Sequence, residues 1–205
     1  MDKKIKRIHI IGFPKCGSSS LRKYLQLKTP HLARTPDQIR SFPAQSLYHP
    51  DWETVCGGIC SKPDTLSVII TRNPVERLYS AYYWSQKWNE ADTIHPTLEE
   101  FLHWQPKGTK RTEYTIYLTS GLVDPIECCD YEKYIKKAYK YNPLILRFED
   151  MIKNPTFPNE AKTNVVLHKA LIDKINIKPK PDQMSDNERK LIVEELYKAG
   201  IPIDN

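Results

Sequence analysis

The stretch IIGFPKCGSSSL, Ile10 to Leu21, constrains this chain more than any other. A short apolar run from Ile8 to Ile11 ends at Gly12. A turn rich in small residues follows, and the pattern then predicts a helix from about Ser19 to Leu27. A strand, a glycine-containing turn and a helix N-terminus together form an anion cradle. Backbone N–H groups point into such a turn, and the helix dipole adds partial positive charge. Lys15 sets a full charge beside it, and the hydroxyls of Ser18, Ser19 and Ser20 add donors. This is chemistry for a phosphate or a group shaped like one. The plainer alternative is a strand-to-helix turn capped by serine.

The loop departs from a Walker A sequence in an informative way. Gly12 and Gly17 keep the G-x-x-x-x-G spacing, after which lysine and then a magnesium-holding Ser or Thr should follow. Here Ser18 follows Gly17, and the lysine sits earlier, at position 15. The expectation is a P-loop-like fold without the usual means of holding MgATP.

A second motif lies downstream. Leu66 to Thr71 (LSVIIT) is a β-rich apolar run without alternation, the pattern of a buried parallel strand. It runs directly into RNPVERLYSAYYW, Arg72 to Trp84. Arg72 falls at the strand's carboxyl end, where open α/β sheets bind their ligands. Pro74 suits the first turn of a helix. Ser80, a little over two turns into that helix, could join Arg72 in gripping a second phosphate. Taken singly, Arg72 also fits a surface ion pair and Ser80 a small packing residue.

PKCGSSSL followed by a strand and RNPVERLYSAYYW resembles the sulfotransferases that use 3′-phosphoadenosine 5′-phosphosulfate (PAPS). In that family a P-K-x-G loop with its hydroxyl residues holds the 5′-phosphosulfate. R-N-P or R-D-P, with a serine eight residues after the arginine, holds the 3′-phosphate. The resemblance therefore implies Lys15, Cys16, Gly17, Ser18, Ser19 and Ser20 in the first site, and Arg72 and Ser80 in the second. LILRFEDMIKNP, Leu144 to Pro155, echoes a third family segment. The likeness runs from about Lys6 to Pro155 and continues more faintly through SDNERKLIVEELYKAG. It implies PAPS as co-substrate, no metal, and Lys15 as the group stabilising the leaving phosphate. Sulfuryl transfer needs in-line positioning and charge neutralisation more than covalent participation, which fits that set.

An acceptor hydroxyl also needs a general base within reach of its proton. The family takes it from between the two nucleotide motifs, where this chain offers His31, Asp37, His49, Asp51 and Glu53. His49, in SLYHPDW, is the first choice by its place ahead of Arg72, and a neutral imidazole titrates in a useful range. Asp37 is second, since glycan-modifying relatives carry a carboxylate soon after the first helix. The style of the RNPVERLYSAY segment implies a carbohydrate acceptor.

At 205 residues, without repeats or long linkers, the expectation is a single domain over 1–205. The apolar start is too short for a signal sequence and no run approaches the length of a membrane span, so the sequence predicts a cytoplasmic chain with no membrane partner. Five cysteines make an odd count. Cys56, Cys60, Cys128 and Cys129 have poor zinc spacing, and Cys16 is a small loop residue that could become reactive beside Lys15. The net charge of +6 suits an anionic substrate rather than nucleic acid. Lys178 and Lys180 lie roughly where the resembled family has a late basic loop to the 3′-phosphate, with no motif that fixes them; the plainer alternative is a solvated loop.

Further helices are predicted over Pro74 to Trp88, from Thr97 to Trp104, over Asp130 to Tyr141, Lys162 to Ile175 and Ser185 to Ala199, with a strand at Leu144 to Phe148. Strands alternating with helices imply an α/β chain with a mostly parallel sheet. The resemblance implies three layers, α/β/α, around it, like the P-loop nucleoside-triphosphate hydrolases. A hydroxyl-bearing small molecule or glycan is the expected acceptor. The alternatives are a kinase-like P-loop enzyme, and a non-catalytic module that binds PAPS or its product.

Overall fold

The computed structural model describes residues 7–13, 15–18, 21, 60–85, 97–103, 125–153 and 184–203. Among the described residues, three strands form one parallel sheet in chain order: β1 (Arg7–Gly12), β2 (Thr65–Thr71) and β3 (Leu144–Arg147). In register, Ile10 lies opposite Val68 and Gly12 opposite Ile70, while Val68 pairs with Leu144 and Thr71 with Arg147. Ser67, Val68, Ile69 and Ile70 are all buried, so both faces of the central strand are covered. That explains why β2 reads as a continuous apolar run without alternation.

The helices start and stop where local chemistry directs. α1 (Pro74–Ser85) begins with proline at its first position, and the Asn73 side chain accepts from the N–H groups of Val75 and Glu76. α2 (Leu98–Leu102) opens on a reciprocal capping box between Thr97 and Glu100. It is shorter than the stretch to Trp104 that the pattern predicts. α3 (Tyr131–Ile135) is capped by Asp130 and tightens into a 3-10 helix, Lys136–Tyr141. The sequence predicts one continuous helix there. The last turns tighten because the chain must leave the helix before Pro143, and Asn142 does so in the left-handed region, φ 47°. β3 ends one residue earlier than predicted, because Phe148 already opens α4 (Phe148–Lys153). α5 (Asp186–Lys198) has the predicted Ser185 cap, completed by Glu188, and ends before Gly200, φ 70°. The predicted helix Lys162 to Ile175 lies outside the described residues.

Two apolar clusters hold these elements. One joins the sheet to Phe13, Cys16, Leu21, Cys128, Ile135 and Met151. The other packs α1, α2 and α5 together through Leu78, Phe101, Ile192 and Leu196. Cys128 faces the first cluster and Cys129 the second, so the short 3-10 turn Glu127–Cys129 ties the two. Arg77 clamps this turn from α1. Fully buried, it donates through Nη1 to the Pro125 carbonyl and the Cys129 sulfur, both at 3.2 Å. The architecture is thus a mixed α/β chain with a small parallel sheet. Among the described residues, no helix is long and apolar enough to cross a membrane.

Candidate active site

The loop after β1 has the conformation that its small residues allow. Cys16 N–H bonds back to the Phe13 carbonyl at 3.2 Å, and Leu21 N–H to the Gly17 carbonyl at 3.0 Å, a helical i→i−4 bond. Ser18 and Leu21 are helical; the rest of the helix predicted over Ser19 to Leu27 lies outside the described residues. Lys15 and Gly17 both adopt positive φ, 66° and 88°. Glycine reaches that region freely; for lysine it is a strained choice of the kind that collects at ligand sites.

A second reason fixes glycine at position 17. A Cβ there would fall 2.3 Å from Cδ2 and 2.4 Å from Cε2 of Phe148. The ring of the first residue after β3 therefore lies directly on the loop. The Arg72 guanidinium stacks on that same ring, 5.1 Å from its centroid. Arg72 also donates through Nη1 to the carbonyl oxygen of Lys15 at 3.0 Å. The next residue, Glu149, accepts from Asn73 N–H at 2.9 Å. So the Lys15 loop and the Arg72 segment, far apart in sequence, meet each other, and the third segment braces both.

Arg72 is no surface residue: its side chain is only 11% exposed. Its Nη2 lies 3.8 Å from Glu76 Oε2, a loose ion pair. Its Nε is buried without a hydrogen-bond partner, and so is Oε2 of Glu149. An orphaned guanidinium N–H is costly unless something polar meets it. With Nη1 already on Lys15, the Nε and Nη2 edge is the one that would take a phosphate or carboxylate in two-point fashion.

The Cys16 side chain belongs to the apolar core. Its side chain is fully buried with Sγ 3.5 Å from the Tyr131 hydroxyl, so only its backbone can face a ligand. Burial pushes its thiol up to about 11, in keeping with the plainer reading of Cys16 as a small loop residue rather than a reactive thiolate. Burial likewise raises the Tyr131 phenol well above its ordinary value. Ser18 is buried, Lys15 half-buried, and Ser80 half-buried on α1. Ser19, Ser20, His31, Asp37, His49, Asp51, Glu53, Lys178 and Lys180 lie outside the described residues.

A cleft of about 470 Å³ opens at the carboxyl ends of β2 and β3, lined by Thr71, Arg72, Asn73, Lys133, Lys136 and Arg147 among others. This is where open α/β sheets bind ligands. Among the described residues, no three His, Cys, Asp or Glu side chains gather as a metal would need. Sequence patterns alone missed Phe148 and Glu149 as parts of the site. Their signal was the RFED segment itself, an aromatic and an acid directly after an apolar strand.

No protein-family model and no curated protein matches the chain. A solved structure described as a sulfotransferase from Alicyclobacillus acidocaldarius is similar over 98% of this chain and 97% of that one, at 18% identity and a TM-score of 0.48. A superposition that loose assigns no role to any residue of this chain.

Proposed function

We propose that the chain is a PAPS-dependent sulfotransferase: one domain over 1–205, three-layered and P-loop-like, that moves a sulfuryl group onto a hydroxyl of a carbohydrate. The observation that carries this reading is the junction of Arg72 with the Lys15 loop, because it leaves Nε of Arg72 without a partner, and Nη2 with only a loose ion pair to Glu76, beside a strained, glycine-dependent turn. A donor with anionic groups at two ends needs two such sites at a fixed spacing. The donor set fits: hydroxyls and backbone N–H groups in the loop, a lysine beside it, and an arginine whose Nε has no partner.

In this reading the bound nucleotide supplies an activated sulfuryl group on a phosphate leaving group. Lys15, Gly17, Ser18, Ser19 and Ser20 hold the phosphosulfate end, with Lys15 neutralising charge that grows on the bridging oxygen. Arg72 and Ser80 hold the 3′-phosphate end. His49, or failing that Asp37, takes the proton of the acceptor hydroxyl as its oxygen bonds to sulfur and the sulfur–oxygen bond to the phosphate breaks. Neutral donors and one lysine suffice because the sulfuryl group in flight carries little net charge.

Calorimetric titration with 3′-phosphoadenosine 5′-phosphate, with and without magnesium, against ATP and AMP tests the reading. Binding without metal that needs the 3′-phosphate, and that Arg72→Ala weakens, supports it. Binding of MgATP alone would overturn it in favour of a kinase-like enzyme.

A further inference from the structure

Glu76 holds two arginines. Its Oε2 lies 3.8 Å from Nη2 of Arg72, while its Oε1 accepts from Nη2 of Arg189 at 2.9 Å. Arg189 comes from α5, which packs with α1 and α2 in the second apolar cluster. The tight contact is the distant one, and the near arginine gets the loose one. A first-turn carboxylate suits the dipole of α1 by itself, but that needs no second arginine.

We infer that Arg189 is a positioning residue that sets the anion affinity of Arg72 by occupying Glu76. This rests on reading Arg72 as a ligand contact. Glu76 and an incoming anion compete for the same edge, since Nη2 faces the carboxylate and Nε beside it is the orphaned donor. With Arg189 engaged, the negative charge of Glu76 is neutralised and turned toward α5. Without Arg189, the carboxylate closes on Arg72 and repels the ligand. The last helix thereby acts on the site without touching it.

The relay predicts a coupled pattern rather than a set of losses. The side chains of Arg189 and Glu76 are 50% and 21% exposed, so an exchange of this kind is worth a few-fold in affinity. Arg189→Gln should weaken binding of 3′-phosphoadenosine 5′-phosphate about three- to fivefold. Glu76→Gln should tighten it by a similar factor. In the Glu76→Gln background, Arg189→Gln should change it by less than about twofold. Arg189→Lys, which keeps the charge, should restore most of the affinity.

The experiment is calorimetric titration of these variants at low salt with two probes, 3′-phosphoadenosine 5′-phosphate and inorganic pyrophosphate, on proteins whose urea unfolding midpoints match wild type. An equal loss from Arg189→Gln with and without Glu76 would make it a plain long-range charge effect and overturn the relay. No loss in either background would do the same. Coupling seen with pyrophosphate in a protein that ignores the nucleotide keeps the relay and removes the sulfotransferase reading. Failure of wild type to bind either probe overturns both.

Discussion

Arg72, at the end of β2, donates through Nη1 to the carbonyl oxygen of Lys15 at 3.0 Å and lies across the ring of Phe148. One planar group thus fixes the loop backbone and stacks on an aromatic face, while its Nε stays buried without a hydrogen-bond partner. A lysine could supply the charge but only a single flexible contact. Arg72→Lys should therefore weaken nucleotide binding by about tenfold or more, approaching the loss from Arg72→Ala. Titration of the two variants decides it. Affinity of Arg72→Lys within twofold of wild type would show that charge alone matters here.

Gly17 is under two independent constraints, its φ of 88° and the ring of Phe148. Gly17→Ala should cost about 1–2 kcal/mol from the backbone alone, and more because the ring must move. The two causes separate in a double variant. Phe148→Ala removes the clash but not the strain, so Gly17→Ala should cost less in that background than in wild type. Urea unfolding of the four proteins gives the coupling, and strict additivity would mean the ring yields freely.

Much of this arrangement is legible in the sequence. β1, β2 and both ends of α5 follow from apolar runs and from capping residues that act over a few positions. The turn after β1 is legible as well, since its small-residue spacing is local. What stays hidden depends on tertiary contact. No pattern shows that the ring of Phe148 rests on Gly17, or that Arg189 meets Glu76 across the chain. The break from α3 into a 3-10 helix is hidden for a different reason. The KKAYKY segment carries no breaker, and the cause lies beyond its end, at Asn142 and Pro143.

Lys15 has a side chain and a backbone with separate requirements. Its φ of 66° is costly for any residue with a Cβ. If the charge is the reason lysine is kept there, Lys15→Gly should retain the fold and gain up to about 1 kcal/mol of stability while sulfuryl transfer is lost. Lys15→Ala should lose transfer without that gain. Thermal unfolding together with a transfer assay on both variants checks the pair. Full transfer in either one would remove Lys15 from the mechanism.

His9 lies buried in β1, opposite Ser67, and burial lowers its pKa from 6.5 to about 4. The unfolded chain therefore binds a proton that the folded one refuses between those two values. Stability from this group is complete above pH 6.5 and falls as the pH drops toward 4, by roughly 3 kcal/mol over the whole window. Carboxylates titrate in the acid part of the same range, so wild type alone does not isolate the histidine. His9→Gln keeps a neutral polar side chain and removes the titration. Urea unfolding at pH 7.5 and pH 4.5 should show a smaller acid loss in His9→Gln than in wild type, with the difference approaching that figure. Equal losses in the two proteins would mean that β1 opens enough in acid for His9 to take its proton without unfolding.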